Sequence, residues 1–316
     1  MTARDPDLPP PAAADLPERE AAATYRPVAE GMEPHVNVYR SVLDHGFVAV
    51  KDYMGDDVSI LQMARMSYGK GTKGVSDDRA LLRYLMRHLH TSPFEGCVIK
   101  LHVKLPIFVM RQWVRHRTAS LNEYSARYSI MPDEFYLPAP EQLAEQSADN
   151  KQGRGAGLAP DQAAEVLDLL TREARQAFAS YHRLLNADED GAALDDNAVG
   201  IARELARIGL PLSTYTQMYW QTNLHNLMHF LRLRLDPHAQ WEIRVYAQRI
   251  LEIMAAWVPL TTEAFRDYQL EAQRFSRMET ALLRDMLAGK AAIADAPRYG
   301  ISKREAKEFA ERLGLS

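Results

Sequence analysis

The sequence predicts a mixed α/β protein, mostly helical with few strands, and three observations carry that prediction. Apolar residues recur at helical spacing over long stretches, as in Leu81, Leu82, Leu85, Met86 and Leu89. One segment, CVIKLHVKL (97–105), alternates strictly, with Cys97, Ile99, Leu101, Val103 and Leu105 on a single side. At 316 residues, 47% hydrophobic and 25% charged, the chain has the length and composition to bury a sizeable core.

Taken in order, residues 1–35 are predicted to be a disordered tail. Their Pro, Ala and acidic content cannot bury enough surface to order a chain, and they lack the basic and apolar regions of a signal peptide. GFVAVKDYMG (46–55) reads as a strand entered through a glycine turn, and DDVSILQMARMSY (56–68) as a helix. SDDRALLRYLMRHLH (76–90) is a helix with Ser76 as cap and Asp77 and Asp78 at its positive end. In TSPFE, Ser92 and Glu95 have the spacing of a capping box around Pro93. After the strand at 97–105, Pro106 opens a helix through PIFVMRQWVRHR.

The polar, glycine-bearing residues 141–158 are predicted to be a surface loop, 160–185 a long amphipathic helix, and 187–197 a linker. Residues 198–256 read as helical with breaks at Pro211 and Pro237, and 260–287 as one helix. Ser302 and Glu305 form a second capping box near the C-terminus. This divides the chain into the tail, a main domain over 36–265 and a helical extension over 266–316.

The net charge of −4 argues against a general nucleic-acid or acidic-membrane footprint, so an anionic ligand must be met by local arginines. No apolar run approaches the ~20 residues that span a bilayer. Cys97 is the only cysteine, which rules out an internal disulfide or a thiolate zinc site and fits a reducing cytoplasm. His225 and His229, four apart in HNLMH, lack the glutamate of a metalloprotease helix and a third ligand, so no metal is expected.

RHRTASLNEYSARYS (115–129) concentrates chemistry. Arginine presents a planar fork of donors that matches phosphate, so Arg115, Arg117 and Arg127, with Ser125 and the amides near Ala126, suit a phosphate cradle. Glu123 can orient an arginine or accept from a ligand, and Tyr124 and Tyr128 can line a pocket. The plain alternative is a solvated basic loop. A further alternative is a non-catalytic nucleotide- or RNA-binding protein that stacks bases on the two tyrosines. The acidic net charge opposes it.

Arg-His-Arg followed after seven residues by serine, here RHR-TASLNEY-S, resembles the signature of flavin-dependent thymidylate synthases. ARMSYG, HTSPFEG, EFYLPAPE, LARIGLPLSTYTQMYW, NLMHFLRLR and HAQWEIRVYA resemble further segments of that family in the same order, between about residues 38 and 258. The resemblance implies an α+β fold, a small, mostly antiparallel sheet flanked by long helices. It also implies methylation of dUMP to dTMP, with 5,10-methylenetetrahydrofolate as carbon donor, NADPH as reductant and FAD as hydride carrier. The expected assembly is a cytoplasmic homotetramer with active sites shared between subunits, for which helices 160–185 and 222–234 are interface candidates.

By family position, dUMP falls to Gln112, Arg115, Glu123, Ser125, Ala126, Arg127, Arg207 and Arg234. FAD falls to Ser92, Arg115, His116, Arg117, Glu123, Asn223, His225 and His229, with Ser67 and His90 near the flavin. Arg234 is cast as the catalytic activator, a guanidinium that favours the deprotonated uracil nitrogen. His238 is placed beside Arg234 or the folate. Cys97, on the inward side of its strand, reads as a core residue rather than the nucleophile that a flavin-free thymidylate synthase needs. The hard chemistry then belongs to the cofactor. The chain departs from the family at Gly96 (commonly histidine), Ala126 (often glycine), and His225 and His229 (arginine and asparagine expected).

Overall fold

The structure, a computed structural model, describes residues 25–66, 78–148 and 153–315. The expected helix cap at Ser76, Asp77, the flavin candidate Ser67 and most of the predicted tail lie outside these residues. The chain divides into two compact units, one ending at Ala264 and the other beginning at Phe265.

In the first unit, β1 (Tyr39–Val42) and β2 (Gly46–Met54) form a hairpin, followed by α1 (Asp57–Met66), α2 (Asp78–Arg87) and the single turn α3 (Ser92–Glu95). Then come β3 (Val98–Pro106), α4 (Ile107–Trp113) and β4 (Ser120–Glu123). A ribbon of β5 (Ala144–Gln146) and β6 (Arg154–Gly157) precedes α5 (Pro160–Leu185) and α6 (Arg203–Ala206). The unit closes with β7 (Tyr215–Asn223), α7 (Leu224–Arg234), α8 (Trp241–Trp257) and α9 (Pro259–Phe265), the last running up to the boundary.

The five-stranded sheet has the order β1-β2-β3-β7-β4, antiparallel throughout. The alternation read in 97–105 holds: Ile99, Leu101, Val103 and Leu105 are fully buried. Their cross-strand partners Thr222, Trp220, Met218 and Thr216 line the same face. Each such apolar side chain contributes about 1.5–3 kcal/mol by leaving water. Trp113 of α4 packs edge-on against Trp220 at 5.5 Å and against Phe230 of α7 at 4.5 Å, so the core fastens the two helices that flank the arginine-rich stretch. Helix α8 covers this core with Tyr246, Ile250, Ile253 and Trp257, all buried. Gly46 is required here, because a Cβ would collide with the Tyr246 hydroxyl and the carbonyl of Lys104.

Several expectations need correction. Residues 25–35, assigned to the tail, are placed: Met32 is fully buried and Arg26 Nη1 donates to the Tyr53 carbonyl at 3.0 Å. The stretch 198–256 is not helical throughout, because YTQMYWQTN is the nine-residue strand β7, whose alternation has period two rather than 3.6. The loop 141–158 carries the β5–β6 ribbon, held by Arg154 Nη2 on both carboxylate oxygens of buried Glu242, at 2.6 and 2.7 Å. Ser92 does not cap α3. The N-cap is Thr91 in helical conformation, with no side-chain bond.

In the second unit the helix expected over 260–287 breaks. A π-turn at Arg266–Leu270 ends it, and a new helix α10 (Arg277–Leu287) starts at Ser276, which forms a capping box with Glu279. The predicted box at Ser302 and Glu305 opens α11 (Lys303–Arg312). Leu282, Ala296, Ile301 and Phe309 make this unit's own small core.

Candidate active site

Three groups of side chains hold the residues singled out by the sequence. The first lies where α4 ends and α7 passes. Arg234 Nε donates to His116 Nε2 at 3.0 Å, and Arg234 Nη2 donates to the Gln112 carbonyl at 3.2 Å. Because Nε2 accepts, the His116 proton sits on Nδ1. Burial, then the charge of Arg234 and the neighbouring His229, push the His116 imidazole down to about 4, so it is neutral at ordinary pH. His116 packs edge-on against Phe230 at 4.9 Å and faces His229 at 5.9 Å. Burial, followed by Arg232, His225 and Arg234, also holds His229 below the usual imidazole range. Burial and the charge of Arg115 lower the pKa of the Arg234 guanidinium. The Gln112 amide donates to Gln240 Oε1, a partner the sequence reading did not single out.

A second group forms around the loop after β4. Ala126 is buried with Met131, Phe178, Tyr181 and Ala206, which sets Ser125–Arg127 beside Ala206 and its neighbour Arg207. Ala126 is not among the residues of positive φ, so its methyl group is accommodated without left-handed strain. The amides of Arg127, Tyr128 and Ser129 all turn back onto Ser125, so they are not available to a phosphate. This narrows the expected cradle to side chains and the Ser125–Ala126 backbone. Arg127 Nε lies 3.3 Å from exposed Glu204. Glu123 accepts from Thr216 Oγ1 at 3.0 Å, a partner hidden from the reading because β7 was missed. Tyr124 donates to the Ile130 carbonyl at 3.0 Å, while Tyr128 is exposed.

The third group sits at the start of α7. Asn223 pairs with Val98 across the sheet and caps α7, accepting from the Asn226 amide at 2.9 Å. The α3 turn, which carries exposed Ser92, packs against α7, whose first turn carries His225. Gly96 is filled from the other side, since a Cβ there would overlap Met63 Sδ, so the family's histidine needs Met63 displaced. His90 stands near Tyr84, with ring centroids 5.6 Å apart.

No hydrogen bond or ion pair among the described residues joins the second group to Arg234. Nor does any carboxylate among the described residues pair with Arg115, Arg117, Arg207 or Arg234. Charged forks left without acids suit anionic groups such as phosphates and a dinucleotide's pyrophosphate. His238, expected beside Arg234 or the folate, instead bonds Asp236 at 3.0 Å at the surface. Cys97 is fully buried and its thiol is pushed up to about 12 by burial and by Asp56 and Asp57, which excludes a thiolate nucleophile.

Residues 49–260 match the family model described as thymidylate synthase complementing protein. The chain is 53% identical over 292 residues to the flavin-dependent thymidylate synthase of Rickettsia bellii, covering 92% of this chain and 99% of that protein. It is 57% identical over 269 residues to that of Rickettsia prowazekii, covering 85% and 91%. Among solved structures it resembles the UMP/dUMP methylase PolB from Streptomyces cacaoi bound with 5-Br UMP. The TM-score is 0.61 and the identity 37%, over 71% of this chain and 96% of that one. By this family model and these relatives, the chain belongs to the family of flavin-dependent thymidylate synthases.

Proposed function

We propose that the chain methylates dUMP to dTMP, with 5,10-methylenetetrahydrofolate supplying the carbon and NADPH the reducing equivalents through FAD. The names of its relatives support the flavin and the dUMP substrate. NADPH, folate and a cytoplasmic homotetramer follow from family resemblance. A carbon that arrives as methylene and leaves as methyl needs two electrons, and FAD supplies hydride chemistry for that reduction.

The observation that carries the reading is Arg234: a half-buried guanidinium, held at two nitrogens, with no carboxylate beside it. Such a cation favours the deprotonated form of a nearby ring nitrogen, and the ring anion so stabilised pushes electron density toward the carbon to be methylated. Gln112, Arg115, Glu123, Ser125, Ala126, Arg127 and Arg207 bind the rest of dUMP, with Arg127 and Arg207 at its phosphate. Ser92, Arg115, His116, Arg117, Glu123, Asn223, His225 and His229 hold FAD. Arg115 and Arg117, which have no acidic partner among the described residues, suit its pyrophosphate. Where this chain has His225 and His229 for the expected arginine and asparagine, imidazoles replace a guanidinium and an amide.

Replacing Arg234 tests the assignment. Arg234→Ala is expected to retain yellow, flavin-loaded enzyme and to lose at least about a hundredfold in turnover, the scale of a removed charge-stabilising donor. An Arg234→Ala enzyme with near-normal turnover contradicts the role.

A further inference from the structure

Resting on the reading of Arg234 above, we propose that His116 is the positioning residue of Arg234: it fixes the guanidinium with a neutral acceptor, so that aim is gained without loss of charge. Arginine carries about 2 kcal/mol of side-chain rotamer entropy, and one free in solvent spends little time in a single orientation. Here Nε is tied to His116 Nε2 and Nη2 to the Gln112 carbonyl, which defines the plane of the fork and leaves Nη1 for a ligand.

The chemistry of the acceptor matters as much as its position. The commonest partner for a half-buried arginine is a carboxylate, which would cancel the field that an activating cation must exert. An imidazole accepts the same Nε–H without a formal charge. The surroundings keep it that way, since the charged and titratable groups that face it are Arg234 and His229, with Arg115 behind Arg234 and Arg232 and His225 behind His229. No acid is among them to stabilise an imidazolium. The ring's orientation is set by its edge-on contact with Phe230 and by the turn in which the His116 amide donates to the Trp113 carbonyl at 2.9 Å.

The sharpest test is a three-variant series in the full-length enzyme: His116→Gln, His116→Leu and His116→Glu. Each is scored for bound flavin by absorbance, for dUMP affinity by calorimetry, and for kcat and KM by tritium release from ring-labelled dUMP. Gln offers a neutral acceptor and, per bound flavin, is expected to keep roughly tenfold more kcat than Leu. Leu offers none and is expected to lose roughly ten- to hundredfold. Glu holds the fork but neutralises it, so dUMP affinity is retained within about threefold while kcat falls by roughly tenfold or more. In an Arg234→Lys background, which lacks the Nε–H, His116→Leu is expected to cost nothing further.

Equal losses across Gln, Leu and Glu, or additive losses in the Arg234→Lys background, overturn the proposal. So does a kcat per bound flavin equal to wild type in Leu and Gln alike, which would assign His116 to the cofactor alone. Those failures are distinct from a failure of the functional reading, which shows instead as an active Arg234→Ala enzyme.

Discussion

At the scale of single residues, the site depends on imidazoles that the fold keeps uncharged. Burial is the first cause at His116, His229, His102 and His35, and nearby cations or imidazoles add to it at each; all four lie below the usual range. A histidine whose folded value is depressed favours the native state above its ordinary value of 6.5, and that contribution is lost as pH falls. For His116 the loss runs from 6.5 down to about 4. His182 acts in the opposite sense: burial lowers it, but Asp133 at 2.7 Å and the Ala187 carbonyl raise it further, so its contribution is full in acid and is lost as pH rises through its raised value. The thermal midpoint is therefore expected to drop between pH 6.5 and about pH 4, and His116→Gln to drop by less over that window. Parallel curves for the two proteins would contradict the burial of a neutral ring at 116. Much of this residue-level chemistry was legible beforehand, because RHR-x7-S names its own side chains. The acceptor role of His116 was not, since nothing in local spacing brings residue 116 to residue 234.

At the scale of elements, the sheet places the chemistry. β3 runs straight into α4 and β7 straight into α7; the strands are antiparallel, so the two helices start at opposite ends of the sheet and meet where Arg234 contacts His116 and Gln112. The strict alternation of 97–105 made β3 readable, as the long amphipathic stripe made α5 readable. β7 carried the same signal, with Thr216, Met218, Trp220 and Thr222 inward, but two of these are polar and Tyr219 stands on the outward side, so the apolar contrast was diluted and the flanking helices claimed the segment. The break before α10 was also written in the sequence, as the S-x-x-E box at Ser276 and Glu279. The β5–β6 ribbon had no local signature, because its anchor is the distant pair of Arg154 and Glu242. Arg154→Ala leaves Glu242, 3% exposed, with only the Tyr136 hydroxyl as hydrogen-bond partner. It is expected to cost about 3 kcal/mol, read as a fall in the denaturation midpoint. An unchanged midpoint would mean that the pair does not hold the ribbon.

At the scale of the whole molecule, the resemblance to the family implies a dUMP site completed by a second subunit. If dUMP is shared in that way, chains carrying Arg207→Ala and chains carrying Arg234→Ala, each inactive alone, are expected to regain roughly a tenth or more of wild-type activity when co-assembled. Continued inactivity of verified mixed oligomers would place the whole dUMP site in one subunit. The net charge of −4 belongs to this scale too: local unpaired arginines, rather than a global field, attract the anions.

The central claim is flavin-dependent methylation, and the most direct measurement is release of tritium from dUMP labelled at the ring carbon that receives the methyl group. The assay contains enzyme, FAD, NADPH and 5,10-methylenetetrahydrofolate, with each omitted in turn. The account predicts release coupled to dTMP formation only when all are present. Sustained release and dTMP formation without NADPH and FAD, or neither from a folded protein that binds flavin and dUMP, would contradict it.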